Sequence, residues 1–145
     1  MKYLCLVYYD ESRVYDRMSS ADWKGLVSQC LAYGADVRGS GHFVDGAALL
    51  PTKTAKTVRV RDGRAAVTDG PFAETKELVA GFWIWDVKSM DEAVEWAKRC
   101  PTSAGQETNL ELRPVFEMDD FGDAMAPEVR EQEDRLRHQI EQQRA

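Results

Sequence analysis

An α+β domain with a βαββαβ core and one added hairpin is predicted by three features of the 145-residue chain. Short apolar runs of strand length recur near residues 2–9, 42–50, 79–87 and 109–118. Segments with helical spacing follow Ser19 and Ser89, one between the first two runs and one between the last two. Between the second and third runs, Asp62-Gly63 joins two short alternating segments, which is a hairpin signal. With that hairpin set aside, the order is the ferredoxin-like one, an antiparallel sheet with both helices on one face.

Each element has its own warrant. Lys2–Tyr9 is short, apolar and rich in aromatics, as a buried strand is. Asp10–Arg17 is polar and reads as a loop. Ser19 is an N-cap, and Asp22 places an acid in the first helical turn. Trp23, Leu26, Val27, Cys30 and Leu31 then share one helical face, the expected core face. Gly34 is expected to interrupt or end that helix, and Gly39-Ser40-Gly41 to close the region. His42–Leu50 is a strand with a bulge expected at Gly46 and a stop at Pro51. In Lys56–Arg61, Val58 and Val60 alternate with Thr57, Arg59 and Arg61, the pattern of a half-buried strand. Ala65–Thr68 returns beside it. Val79–Val87 is a further strand. Ser89 and Glu92 form a capping box before a helix with Met90, Ala93, Val94 and Ala97 on one side, ended at Cys100-Pro101. Asn109–Met118 is the last strand, and Pro114 places it at an edge or bulge. The domain is bounded at residues 1–118. Residues 119–145 are a separate acidic tail with a polar helix beginning at Pro127.

Composition narrows the function classes. The net charge of -6 argues against a general nucleic-acid binder, which needs a basic face. No stretch approaches the roughly 20 apolar residues of a membrane span. The expectation is a cytoplasmic protein without a membrane partner. Cys5, Cys30 and Cys100 lie far apart in apolar patterns, with no metal-ligand spacing. No phosphate loop, dinucleotide glycine fingerprint or nucleophile elbow is present, and no cofactor is expected.

The strands also predict an assembly. Phe82 and Ile84 alternate with Trp83 and Trp85, and Tyr3, Cys5 and Val7 alternate with Leu4, Leu6 and Tyr8, so both sheet faces are apolar. Helices cover one face. A homodimer through the other is the economical way to bury it.

Several stretches together resemble the YCII-related family, in particular its DGPF-motif branch. They are MKYLCLVYYDE at the start, Leu49-Leu50-Pro51, residues 54–63, and Val-Thr-Asp-Gly-Pro-Phe-Ala-Glu-Thr-Lys-Glu at 67–77. Ala80-Gly81-Phe82, residues 90–97 and Glu-Leu-Arg-Pro-Val at 111–115 complete the set. The resemblance implies a dimeric α+β barrel and fixes no one activity. It also implies association with sigma factors of the extracytoplasmic-function type, hence a regulatory role. Three features depart from the family pattern. His42 and His138 match neither position of the His–Asp pair suggested for other YCII-type proteins, Ala80 replaces a usual glycine, and the acidic tail lies outside the resemblance.

The candidate site centres on the Asp69-Gly70-Pro71-Phe72 turn. Asp69 is the candidate catalytic carboxylate. Its structural alternative is an Asx turn, with Gly70 at positive φ, Pro71 fixing the next bend and Phe72 anchoring it. Glu74, Lys76 and Glu77 are either surface charges or groups that tune one another for acid–base work. Arg59, Arg61 and Arg113 either pair with those acids or clamp an anionic ligand. Tyr9, with Tyr3, Tyr8, Trp83 and Trp85, belongs to the core and interface or to the rim of a pocket. Three functions are open on these residues. The first is a small-molecule-binding protein with a regulatory role. The second is a cofactor-free isomerase, cyclase or lyase that uses Asp69 or a nearby carboxylate for proton transfer. The third is a docking protein acting through its acidic tail.

Overall fold

The computed structural model describes residues 1–71, 75–102 and 106–144. In chain order the elements are β1 (Lys2–Asp10), α1 (Glu11–Tyr15), α2 (Ser20–Gly39), β2 (Phe43–Ala48), β3 (Lys56–Arg61), β4 (Arg64–Asp69), β5 (Glu77–Asp86), α3 (Met90–Lys98) and β6 (Thr108–Pro114). Four strands form one antiparallel sheet in the order β2-β5-β1-β6, and β3 and β4 pair as a separate hairpin. Without the hairpin this is an α+β, ferredoxin-like βαββαβ arrangement. β5 lies between β1 and β2, and β1 lies between β5 and β6.

The core lies on one face of that sheet. Tyr3 and Cys5 of β1 face Trp85 and Trp83 of β5 in register, and Leu112 of β6 pairs with Cys5. Tyr33 and Val37 of α2 and Ala93 and Ala97 of α3 close over them. The Tyr33 hydroxyl donates to the Trp96 carbonyl at 2.9 Å, joining the two helices. Its ring meets Trp83 edge-on at 5.3 Å. By strand alternation the other face carries Leu4, Leu6, Phe82 and Ile84, which are half-buried. On that same face β6 contributes Asn109, Glu111 and Arg113. Trp83 and Trp85 are both on the helix side, so the open face is mostly aliphatic, with Tyr8 and Phe82 its aromatic members.

Several local expectations are corrected. Asp10–Arg17 is not all loop. Asp10 accepts from the Ser12 amide at 3.0 Å and caps the short helix α1. The buried face of α2 is not the expected one: Tyr33, Gly34 and Val37 face the core, while Trp23, Val27 and Leu31 are exposed, Leu31 at 71%. Gly34 lies inside the helix and does not end it. A Cβ there would meet the end of the flexible Arg38 side chain at 2.9 Å and the Trp83 ring at 3.4 Å, an ordinary contact distance, so this position of the helix faces that ring directly. The register irregularity in β2 falls between Phe43 and Asp45, not at Gly46. Gly46 is where the Trp83 indole crosses the strand, 2.9 Å from where a Cβ would be. The hairpin is exposed on both faces, with Val58, Val60 and Val67 each more than 60% accessible. Its Asp62-Gly63 turn has φ of 50° and 72°, the paired positive values a two-residue hairpin turn needs. Only half of the Ser89 capping box forms: Ser89 Oγ accepts from the Glu92 amide at 3.2 Å, but Glu92 accepts from Lys88 N–H at 2.8 Å. β6 ends at Pro114, on the sheet edge, before the expected Met118.

The chain divides into two compact units, Met1–Pro114 and Val115–Ala145. In the second, Phe116 and Phe121 stack at 5.0 Å, and α4 (Pro127–Arg144) follows a 3-10 segment. Arg137 pairs with Glu133 at 2.9 Å along α4. Val129, Leu136 and Ile140 are about half exposed. Among the described residues, no helix is long and apolar enough to cross a membrane.

Candidate functional site

A cleft of about 750 Å³ opens where three segments distant in sequence are tied together. The first is α1, at the end of β1. The second is the 3-10 turn Thr52–Thr54, whose Thr52 amide and hydroxyl both donate to the Glu11 carboxylate at 2.8 Å. The third is the motif turn after β4. There the Gly70 amide donates to the Ala55 carbonyl at 2.7 Å, and the Thr57 hydroxyl donates to the Gly70 carbonyl at 2.8 Å. Gly70 has φ of 84°, which favours glycine, and it turns the chain so that Pro71 reaches the cleft wall. Thr75, Lys76 and Leu78 supply a further wall as the chain enters β5. The placement of this turn against the start of a strand thus has a physical result: it frames the cleft.

The lining is polar with apolar patches. Asp10, Glu11, Arg13, Asp16, Arg17, Lys53 and Lys76 bring charge, and Tyr15, Pro51, Pro71 and Leu78 bring apolar surface. Hydrogen bonds from the Ser12 hydroxyl and amide, with Arg13 nearby, hold the Asp10 carboxyl below its ordinary range. Behind the lining, Tyr9 and Tyr15 share a hydroxyl–hydroxyl bond of 2.8 Å. Burial, and then that bond, push the Tyr9 phenol up, so it stays a neutral hydrogen-bonding group.

Of the residues expected at the site, Pro71 and Lys76 line the cleft directly. Tyr9 stands behind Tyr15, and Gly70 sets the turn. Asp69 does not line it; its carboxylate is 86% exposed and pairs with Lys56 at 2.6 Å. The expected Asx turn is absent for a simple reason: the bond would need an N–H on Pro71, which has none. Glu77 accepts from the Asn109 side chain at the sheet edge. Arg59 and Arg61 project from the exposed hairpin, and Arg113 lies on the open sheet face, 3.9 Å from Glu111. Phe72 and Glu74 lie outside the described residues. Sequence reasoning missed Glu11, Arg17, Thr52 and Lys53. One signal was present: Asp10 two residues before Ser12 is a helix cap, and a cap orients the first turn of its helix. The Glu11–Thr52 clip spans 41 residues and carries no local signal.

Among the described residues no cluster of three or more His, Cys, Asp or Glu side chains could hold a metal ion. His42 is elsewhere, bonded through Nδ1 to the Asp86 carbonyl at 2.9 Å and 3.5 Å from Glu92 through Nε2.

Two comparisons with known proteins bear on this architecture. An uncharacterized protein of Rhizobium meliloti (strain 1021) is 35% identical over 115 residues, 79% of this chain and 92% of the relative. The model of the YCII-related domain matches residues 1–119, which span the whole sheet, both covering helices and every wall of the cleft. On both counts the chain belongs to the YCII-related family.

Proposed function

We propose that the protein binds a small molecule in the cleft framed by α1, the 51–53 turn and the Gly70-Pro71 bend of the motif that marks the DGPF-motif branch. The observation that carries this reading is that the motif's own residues, Pro71, Thr75 and Lys76, form a wall of a cavity of about 750 Å³, within the size range of small-molecule sites. Binding is better supported than proton transfer. Asp10 and Glu11 are cleft carboxylates, but both are committed to donors of the fold, and Asp69 is turned to Lys56 in solvent. Tyr9, Gly70, Pro71 and Lys76 are the expected site residues this reading keeps. It also includes a homodimer through Leu4, Leu6, Phe82 and Ile84 of the open sheet face, a cytoplasmic location and, through the family resemblance, a regulatory role beside a sigma factor.

Native mass spectrometry of protein purified gently from its host tests the binding reading. An extra mass is expected, lost in Leu78→Trp, which fills the cleft, and kept in Val58→Trp on the hairpin. Retention of the mass by Leu78→Trp would move the site elsewhere. Sedimentation tests the assembly: a wild-type monomer at micromolar concentration would rule out the sheet-face dimer.

A further inference from the structure

The cleft holds charges of both signs, but the two signs are not equally available. Asp10 accepts from the Ser12 amide at 3.0 Å and from the Ser12 hydroxyl at 2.7 Å, with Arg13 Nε at 3.5 Å. Glu11 takes two bonds of 2.8 Å from Thr52. Those two carboxylates and Arg13 are occupied by the fold. Arg17, Lys53 and Lys76 are not: among the described residues none of them forms an ion pair or a side-chain hydrogen bond. Among the described lining residues, Asp16 is the one acid without such a partner, against these three open cations. A protein of net charge -6 thus gathers uncommitted positive charge in one concave place. Like charges held together repel, and low-dielectric walls focus their field toward an incoming anion. Tyr15, Pro51, Pro71 and Leu78 offer apolar contact beside them.

We propose that the ligand of this cleft is an organic anion: a carboxylate or phosphate group received by Arg17, Lys53 and Lys76, on an apolar body that lies against Tyr15, Pro51, Pro71 and Leu78. This rests on the reading of the cleft as a ligand site and adds the chemistry of what enters it. Guanidinium and ammonium groups both make charge-assisted bonds to such oxygens. Two carboxylates already satisfied internally do not oppose the anion as free ones would.

The test titrates the full chain with four probes of one shape, benzoate, phenyl phosphate, benzamide and benzylammonium, and with inorganic phosphate. Backbone amide shifts of residues 10–17, 52–53 and 75–78 are followed. Benzoate or phenyl phosphate is expected to bind at least tenfold more tightly than benzamide or benzylammonium, and phenyl phosphate more tightly than inorganic phosphate. The better of the two aromatic anions identifies the group as carboxylate or phosphate, and either result supports the proposal. Lys53→Gln/Lys76→Gln, and separately Arg17→Gln, should weaken the better anion at least tenfold. Arg59→Gln/Arg61→Gln on the hairpin should change it less than twofold. Equal binding of benzamide, or an unchanged Kd in the lysine variant, overturns the anion proposal and leaves the cleft a ligand site. Inorganic phosphate binding as tightly as phenyl phosphate overturns the apolar half. No cleft amide responding to any probe overturns the ligand site itself.

Discussion

The four-stranded sheet and the β3–β4 hairpin are both antiparallel β-structure, yet they are held by different forces. The sheet is built on side chains: Tyr3, Cys5 and Trp85 are buried beneath Val37, Ala93 and Ala97. The hairpin buries almost nothing, and its residues are exposed on both faces except for a half-buried Thr57. A two-stranded ribbon alone is marginal in water. This one is held by its ladder, by the left-handed Asp62-Gly63 turn and, at its base, by the bond from the Gly70 amide to the Ala55 carbonyl and the bond from the Thr57 hydroxyl to the Gly70 carbonyl. Those basal bonds also set a wall of the cleft. The comparison teaches that the motif turn owes its position to backbone geometry, whereas the sheet owes its position to packing.

The difference can be broken or sharpened by substitution. The largest effect is expected from Trp85→Ala, which empties a fully buried site in the inner strand β5 and should cost about 3–5 kcal/mol in chemical denaturation. Trp85→Phe should cost less, since the indole N–H it removes is buried without a hydrogen-bond partner among the described residues. A loss below about 1 kcal/mol for Trp85→Ala would end the claim that packing holds the sheet.

Alkaline pH comes next. Burial, with a smaller contribution from Cys100, pushes the Cys5 thiol from 9.0 to about 12, and burial pushes Cys100 to about 11. The folded state therefore holds these protons more tightly than the unfolded chain does. Their stabilisation is complete below about pH 9 and is lost as pH rises through about 11 and 12. A Cys5→Ala variant should show a shallower fall in stability above pH 9.

Gly46→Ala should cost about 1–3 kcal/mol, because the new methyl meets Trp83 and the Phe82 carbonyl oxygen, both fixed by the core. Gly63→Ala strains a left-handed residue by about 1–2 kcal/mol. Its effect should appear as faster hydrogen exchange of β3 and β4 amides, with the sheet amides unchanged. Equal acceleration in both would show that the hairpin and the sheet open as one. Asp69→Ala should be the mildest. Its ion pair with Lys56 is solvent-screened, so the loss should stay under about 1 kcal/mol and the variant should remain folded.

Strand positions and order were legible because their signals are local: alternation, the Asp-Gly turn, the serine cap of α3. The buried face of α2 was not. Trp23, Val27 and Leu31 are more hydrophobic than the face that packs, where Tyr33 and Gly34 meet Trp83, a partner distant in sequence that no helical spacing announces. Val58 and Val60 alternate like half-buried residues, but burial needs a second layer, which no local pattern can specify. At the site, the motif announced Pro71 and Lys76. Glu11, Thr52 and Lys53 meet them only because the sheet brings the end of β1 to the loop after β2 and the start of β5.

The three unpaired cysteines sit at graded depths: Cys5 in the inner strand β1, Cys100 just past α3 and Cys30 partly accessible on α2. They equip the chain with its own chemical clock. A brief pulse of alkylating reagent can mark Cys30 through fraying of one helix, whereas Cys5 becomes reachable only when the central ladder parts. The sequence in which the three are modified would date the order of opening, with no introduced label.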